Sequence, residues 1–226
     1  MKRTSQKVEG RKLFAQGVVL SWEGCYEDAV KCFERALFMD PIGKNSLLML
    51  HLGFAYTAIG RYEDAIEAYL QTKKIELESP QAFLNLGHCY IQLGRLEEAE
   101  ATYRRGSEID DENPNFYVGL GDVYVAQGYV NLAIEQYEIA LELQPDLLQA
   151  LNNLGAVCHL RNDFHQAACY YERALKADPK CSHVMYNLLE IYFLLGRNYR
   201  RKMILKRLWK IEPESKIFGS TPTLLM

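Results

Sequence analysis

The stretch LNLGHCYIQLGRLEEAEATY, Leu84 to Tyr103, decides the fold. Its leucines, alanine and glutamates favour helix, yet Gly87 stands inside it, where glycine costs about 1 kcal/mol relative to alanine. Working outward, Gly53, Gly87, Gly121 and Gly155 succeed one another at intervals of 34 residues. A glycine that returns at a fixed interval against local propensity marks an internal repeat. It also implies a packing reason for the missing side chain.

A frame of 34 residues divides the chain into six units, 10–43, 46–79, 80–113, 114–147, 148–181 and 182–215. Position 8 reads Gly17, Gly53, Gly87, Gly121, Gly155 and Leu189, and position 11 reads Leu20, Tyr56, Tyr90, Tyr124, Cys158 and Tyr192. In the second half of each unit, position 20 reads Ala29, Ala65, Ala99, Ala133, Ala167 and Arg201. Position 24 reads Phe33, Tyr69, Tyr103, Tyr137, Tyr171 and Leu205. Spacings of three and four between apolar positions mean helices, and a glycine at position 15 of five units (Gly24, Gly60, Gly94, Gly128, Gly196) marks a turn between two of them. The glycine at position 8 and the alanine at position 20 are expected to meet where the two helices cross most closely, with large residues at 4, 7, 11 and 24 filling the surrounding space.

These residues resemble the tetratricopeptide repeat, over nearly the whole chain, about residues 10 to 215. The resemblance implies an all-α fold, a right-handed α-solenoid of six helix-turn-helix units, with first helices lining a concave groove and second helices facing outward. Two departures stand at the ends: Gln16 replaces a large aliphatic residue at position 7, and unit six carries Leu189 and Arg201 for the small residues. Residues 1–9 form a basic extension and 216–226 a tail with no capping role. The helix from Arg197 to Lys210, with seven basic residues outward and Met203, Ile204, Leu205, Leu208 and Trp209 inward, is expected to cap the stack.

Composition agrees with a globular protein: 49% hydrophobic and 24% charged. No apolar run approaches the roughly 18 residues of a membrane helix, and the first residues lack the apolar core of a secretory signal, so a cytoplasmic protein is expected. The six cysteines form no C-x-x-C pair and read as reduced thiols, Cys89 and Cys158 in the core. Residues 13–196 carry 13 basic and 26 acidic side chains, which argues against nucleic acid as a partner. The basic end helix offers at most a weak membrane contact.

The resemblance implies that positions 2, 5, 6, 9, 12 and 13 of each first helix line the groove. In the first two units these bring Phe14, Val18, Trp22, Leu47, Leu50 and Phe54. The middle units supply Gln81, Leu84, Asn85, His88, Gln92, Asn115, Val118 and Asp122, and the last two supply Gln149, Asn152, Asn153, His159, His183, Tyr186, Asn187, Glu190 and Phe193. Such a surface suits a peptide, amides bonding its backbone and apolar patches taking its side chains. Asn85, Asn153 and Asn187 share position 6, similar to the asparagine ladder in the repeats of O-linked N-acetylglucosamine transferase, but His51 and Gly119 break it. Apart from Arg11, positions 2, 5, 6 and 9 of the first three units lack the lysines and arginines with which related repeats hold a chaperone's terminal carboxylate.

Four histidines, His51, His88, His159 and His183, fall on the groove side in four different units, too far apart in the frame for a shared metal, and read as polar lining. No nucleophile motif and no phosphate loop occurs, so neither cofactor nor metal nor catalysis is expected. The function expected is a non-catalytic scaffold or adaptor that binds a peptide segment of another protein. The alternatives are a secretion-type or assembly chaperone, a self-associating scaffold, or a regulatory subunit of a larger complex.

Overall fold

In a computed structural model the described residues are 2–39, 46–72 and 79–213. Among them are twelve α-helices and no strand. They form two compact units, one ending at Asp111 and one beginning at Glu112. The first contains α1 (Lys2–Trp22), α2 (Tyr26–Met39), α3 (Ser46–Ala58), α4 (Tyr62–Thr72), α5 (Pro80–Gln92) and α6 (Leu96–Ile109). The second contains α7 (Pro114–Gln127), α8 (Val130–Leu143), α9 (Leu148–Leu160), α10 (Phe164–Ala177), α11 (Ser182–Leu194) and α12 (Asn198–Ile211). Helix α1 starts eight residues before the frame's first unit, so residues 2–9 continue the same helix. The tail from 216 lies outside the described residues.

Each helix pair closes through the same turn. The backbone N–H of position 16 bonds back to the carbonyl of position 11, as in Arg95 to Tyr90 at 2.9 Å and Arg197 to Tyr192 at 2.8 Å. This closure requires a left-handed residue at position 15, and Gly94 supplies it with φ +69°. Where glycine is missing from that position, Asn162 takes φ 60°, the residue type after glycine best suited to it.

Within each pair the position 8 glycine lies under the aromatic ring of position 24. A Cβ built on Gly87 would stand 2.5 to 2.8 Å from three atoms of the Tyr103 ring, and Gly17, Gly53, Gly121 and Gly155 meet Phe33, Tyr69, Tyr137 and Tyr171 in the same way. This corrects the expected partner of the glycine. The alanines at position 20 are fully buried, but the ring comes closest. The tyrosines of positions 11 and 24 are core residues throughout, as are Cys89 and Cys158.

Successive pairs stack inside each unit. In the first unit α2 packs on α3 and α4 on α5; in the second, α8 packs on α9 and α10 on α11. First helices also touch one another, α1 to α3 to α5 and α7 to α9 to α11, which places their exposed faces side by side. In the last pair Ile204, Leu205 and Leu208 are buried as expected, but Met203 is 48% exposed and does not pack inward.

Candidate functional site

In the first unit, the faces of α1, α3 and α5 build an aromatic surface. The Phe14 ring lies 5.8 Å from Phe33 and 5.5 Å from His51, and His51 stacks on Phe33 at 5.9 Å. Burial among these rings pushes the His51 imidazole below its ordinary value, so it is neutral at physiological pH. Beside this cluster opens a cavity of about 500 Å³. Trp22 and Ser21 from α1, Tyr26 from α2, and Leu47, Leu50, His51 and Phe54 from α3 form its walls. Ser79, Gln81 and Asn85 close one end. Trp22 is 84% exposed and Phe54 45%, with Phe54 held edge-on by Tyr26 at 5.9 Å. Val18 is half-buried on the same helix face.

The amides at the end of this cavity are partly spent on each other. Gln81 donates from Nε2 to Asn85 Oδ1 at 3.0 Å. His88, one turn on from Asn85, is exposed and stands 6.5 Å from the Tyr62 ring.

In the second unit the first helices carry a polar chain instead. Asn187 donates from Nδ2 to Asn152 Oδ1 (3.1 Å), Asn152 to Asn153 Oδ1 (3.3 Å), and Asn153 to Asp122 Oδ1 (2.7 Å), linking α11 through α9 to α7. The Tyr137 hydroxyl donates to the same carboxylate oxygen at 2.7 Å. Burial, then the Asp122 charge, raise its pKa far above the usual phenol range. Tyr186 donates to Glu212 at 2.7 Å, and hydrogen bonds from Ser182 and then from Tyr186 hold that carboxylate below its ordinary value. His159 packs edge-on against Phe164 at 5.8 Å.

Gln149, His183, Glu190 and Phe193 are exposed on these helices, and Asn115 is exposed but bonded to the helix-capping Asn113. Val118, assigned to the groove by the frame, is buried at 8% exposure and belongs to the core.

Two cavity residues, Tyr26 and Ser79, lie outside the groove positions, while Ser21 occupies groove position 12 and was not singled out. Tyr26 was legible by a different rule. The ring at position 17 of one repeat meets the ring at position 9 of the next, as Tyr26 meets Phe54 and Tyr62 meets His88. Among the described residues no three His, Cys, Asp or Glu side chains gather as metal ligands, and no helix is long and apolar enough to cross a membrane.

Family profiles described as "Tetratricopeptide repeat" and "TPR repeat" match residues 112–180 and 87–128, and one described as "Anaphase-promoting complex, cyclosome, subunit 3" matches 22–106. No curated protein sequence matches the chain significantly. Among solved structures, MamA is 25% identical over 74% of this chain and 96% of its own, with a TM-score of 0.63. PilW, titled a widely conserved type IV pilus biogenesis factor, is 20% identical over 96% and 98%, with a TM-score of 0.77. YrrB, titled a TPR protein with an unusual peptide-binding site, is 18% identical over 77% and 89%, with a TM-score of 0.58. The fold class is the all-α solenoid of helix pairs that these structures share.

Proposed function

Because this chain belongs to the tetratricopeptide-repeat family, whose fold serves generally as a protein-interaction scaffold, we propose that it is a non-catalytic adaptor holding a peptide segment of a partner protein on the faces of its first helices. The observation that carries this reading is the uncharged aromatic cavity in the first unit, where Trp22 and Phe54 expose rings that the fold leaves uncovered. Burying exposed aromatic surface is the main source of affinity at protein interfaces. Asn152, Asn153 and Asn187 bond one another and Asp122, which helps set the spacing of α7, α9 and α11, and exposed neighbours such as Gln149 and Glu190 join them in meeting the ligand.

The test is a pull-down comparing the wild type with the variant Gln81→Ala, His88→Ala, Gln149→Ala, Glu190→Ala, whose side chains are all exposed, after circular dichroism shows equal helicity. A partner captured by the wild type and lost by the variant is the expected result. Partners retained equally by both would move binding to another face.

A further inference from the structure

We infer that the first unit's cavity is an anchor pocket for a bulky, uncharged apolar side chain in the partner's segment, and that it selects against acidic segments and terminal carboxylates. This rests on the peptide-binding reading above and names the chemistry of its ligand. The decisive feature is charge. Among the described residues no Lys, Arg, Asp or Glu lines the cavity, and the imidazole that does, His51, is wedged between Phe14 and Phe33. A carboxylate or phosphate entering it would lose its hydration with no cation to replace it, a cost that apolar groups do not bear.

Size and shape agree with charge. About 500 Å³ lies inside the range of roughly 300–1,000 Å³ typical of specific pockets. Its lining is largely aliphatic and aromatic (Leu47, Leu50, Phe54, Trp22, Tyr26), and its polar groups are the buried Ser21, the ring-packed His51 and the group of Ser79, Gln81 and Asn85. There Gln81 spends its amide N–H on Asn85, and among the described residues nothing donates to its carbonyl oxygen, which leaves an acceptor for a backbone N–H of the segment. An apolar floor with a backbone acceptor at its edge recognises one large side chain and the peptide bond beside it.

The test uses the full chain and a phage-displayed library of random dodecapeptides, followed by calorimetry on the synthetic form of the most enriched peptide. The expected peptides share a Leu, Ile, Phe, Met or Trp in a stretch without net negative charge. Their Kd weakens at least tenfold with Phe54→Ser and with Trp22→Ala, two exposed rings whose loss leaves the buried core intact, and is unchanged when the peptide's C-terminus is amidated.

Enriched acidic peptides, a requirement for a free carboxylate, no enrichment, or a Kd indifferent to both variants would each overturn the inference. If binding is indifferent to these two variants but lost in a variant carrying only Gln149→Ala and Glu190→Ala, which lie outside the cavity, the pocket assignment fails and the adaptor reading stands; if it survives these three and the fourfold variant as well, both fail. A concentration series by light scattering covers the remaining occupant: a dimer dissolved by Phe54→Ser identifies the pocket as a contact between copies of the chain and overturns the peptide assignment.

Discussion

Gly87 carries no side chain because the Tyr103 ring occupies the place where one would be, and the sixth repeat shows the same constraint solved the other way. There Leu189 replaces the glycine and Leu205 replaces the aromatic residue, so volume moves from one helix to the other across the crossing. Both leucines are buried. Gly87→Ala is therefore expected to destabilise by about 1–3 kcal/mol through overpacking, despite the better helix propensity of alanine. Urea denaturation of a double-mutant cycle identifies the partner: Tyr103→Leu should cost less in the Gly87→Ala background than in the wild type, by at least about 1 kcal/mol. Costs that add to within about 0.5 kcal/mol would show that ring and glycine are uncoupled. The sequence alone pointed to the alanine at position 20, because small residues facing small residues is the simplest crossing. The compensating change at positions 8 and 24 was the signal that names the ring.

At the scale of helices, repeats are clipped together by a hydrogen bond used twice. The hydroxyl of the position 11 tyrosine donates to a glutamate at position 25 of the preceding repeat, Tyr56 to Glu34 at 2.7 Å in the first unit and Tyr192 to Glu172 at 2.8 Å in the second. An arginine completes each clip: Arg61 lies over the Tyr56 ring, and Arg200 bonds Glu172 at 2.7 Å. The basic helix α12 thus spends part of its charge on the pair before it, for Arg207 also donates to the Pro179 carbonyl at 2.7 Å.

Tyr192→Phe keeps the packing and removes the bond, and should cost about 1 kcal/mol near neutral pH, read from chemical denaturation. Its pH dependence separates the bond from mere packing. Burial, then Glu172, push the Tyr192 phenol up to about 12, against about 10 in the unfolded chain. The stabilisation is therefore complete below about pH 10 and is lost as pH rises toward 12, so the gap between variant and wild type should close over that interval. A gap that stays constant would leave the clip without an ionisable member.

Across the whole chain, what was legible in the sequence is what repeats. The interval of the glycines set the helix pairs, and the position 15 glycines set five of their turns, while the turn that Asn162 completes emerged only from the backbone. The aromatic wall of the candidate site followed from the same frame, since Phe14, Trp22, Leu50 and Phe54 occupy equivalent faces. The amide chain from Asn187 to Asp122 was not legible, because it depends on rotamers and on spacing between helices that no register encodes. Nor was the start of α1 at Lys2, whose first residues lack apolar periodicity.

A chain built this way draws its stability from each pair and its immediate neighbours. A defect in one pair should therefore stay local. Gly155→Ala forces the Tyr171 ring aside in α9 and α10. Hydrogen exchange on the full chain should show faster exchange in those helices and in α8 and α11, which pack on them, with α1, α2 and α3 keeping wild-type protection. Uniform loss of protection in all twelve helices would instead mean that the chain opens only as one cooperative whole, and that the repeat frame describes its geometry without describing its energetics.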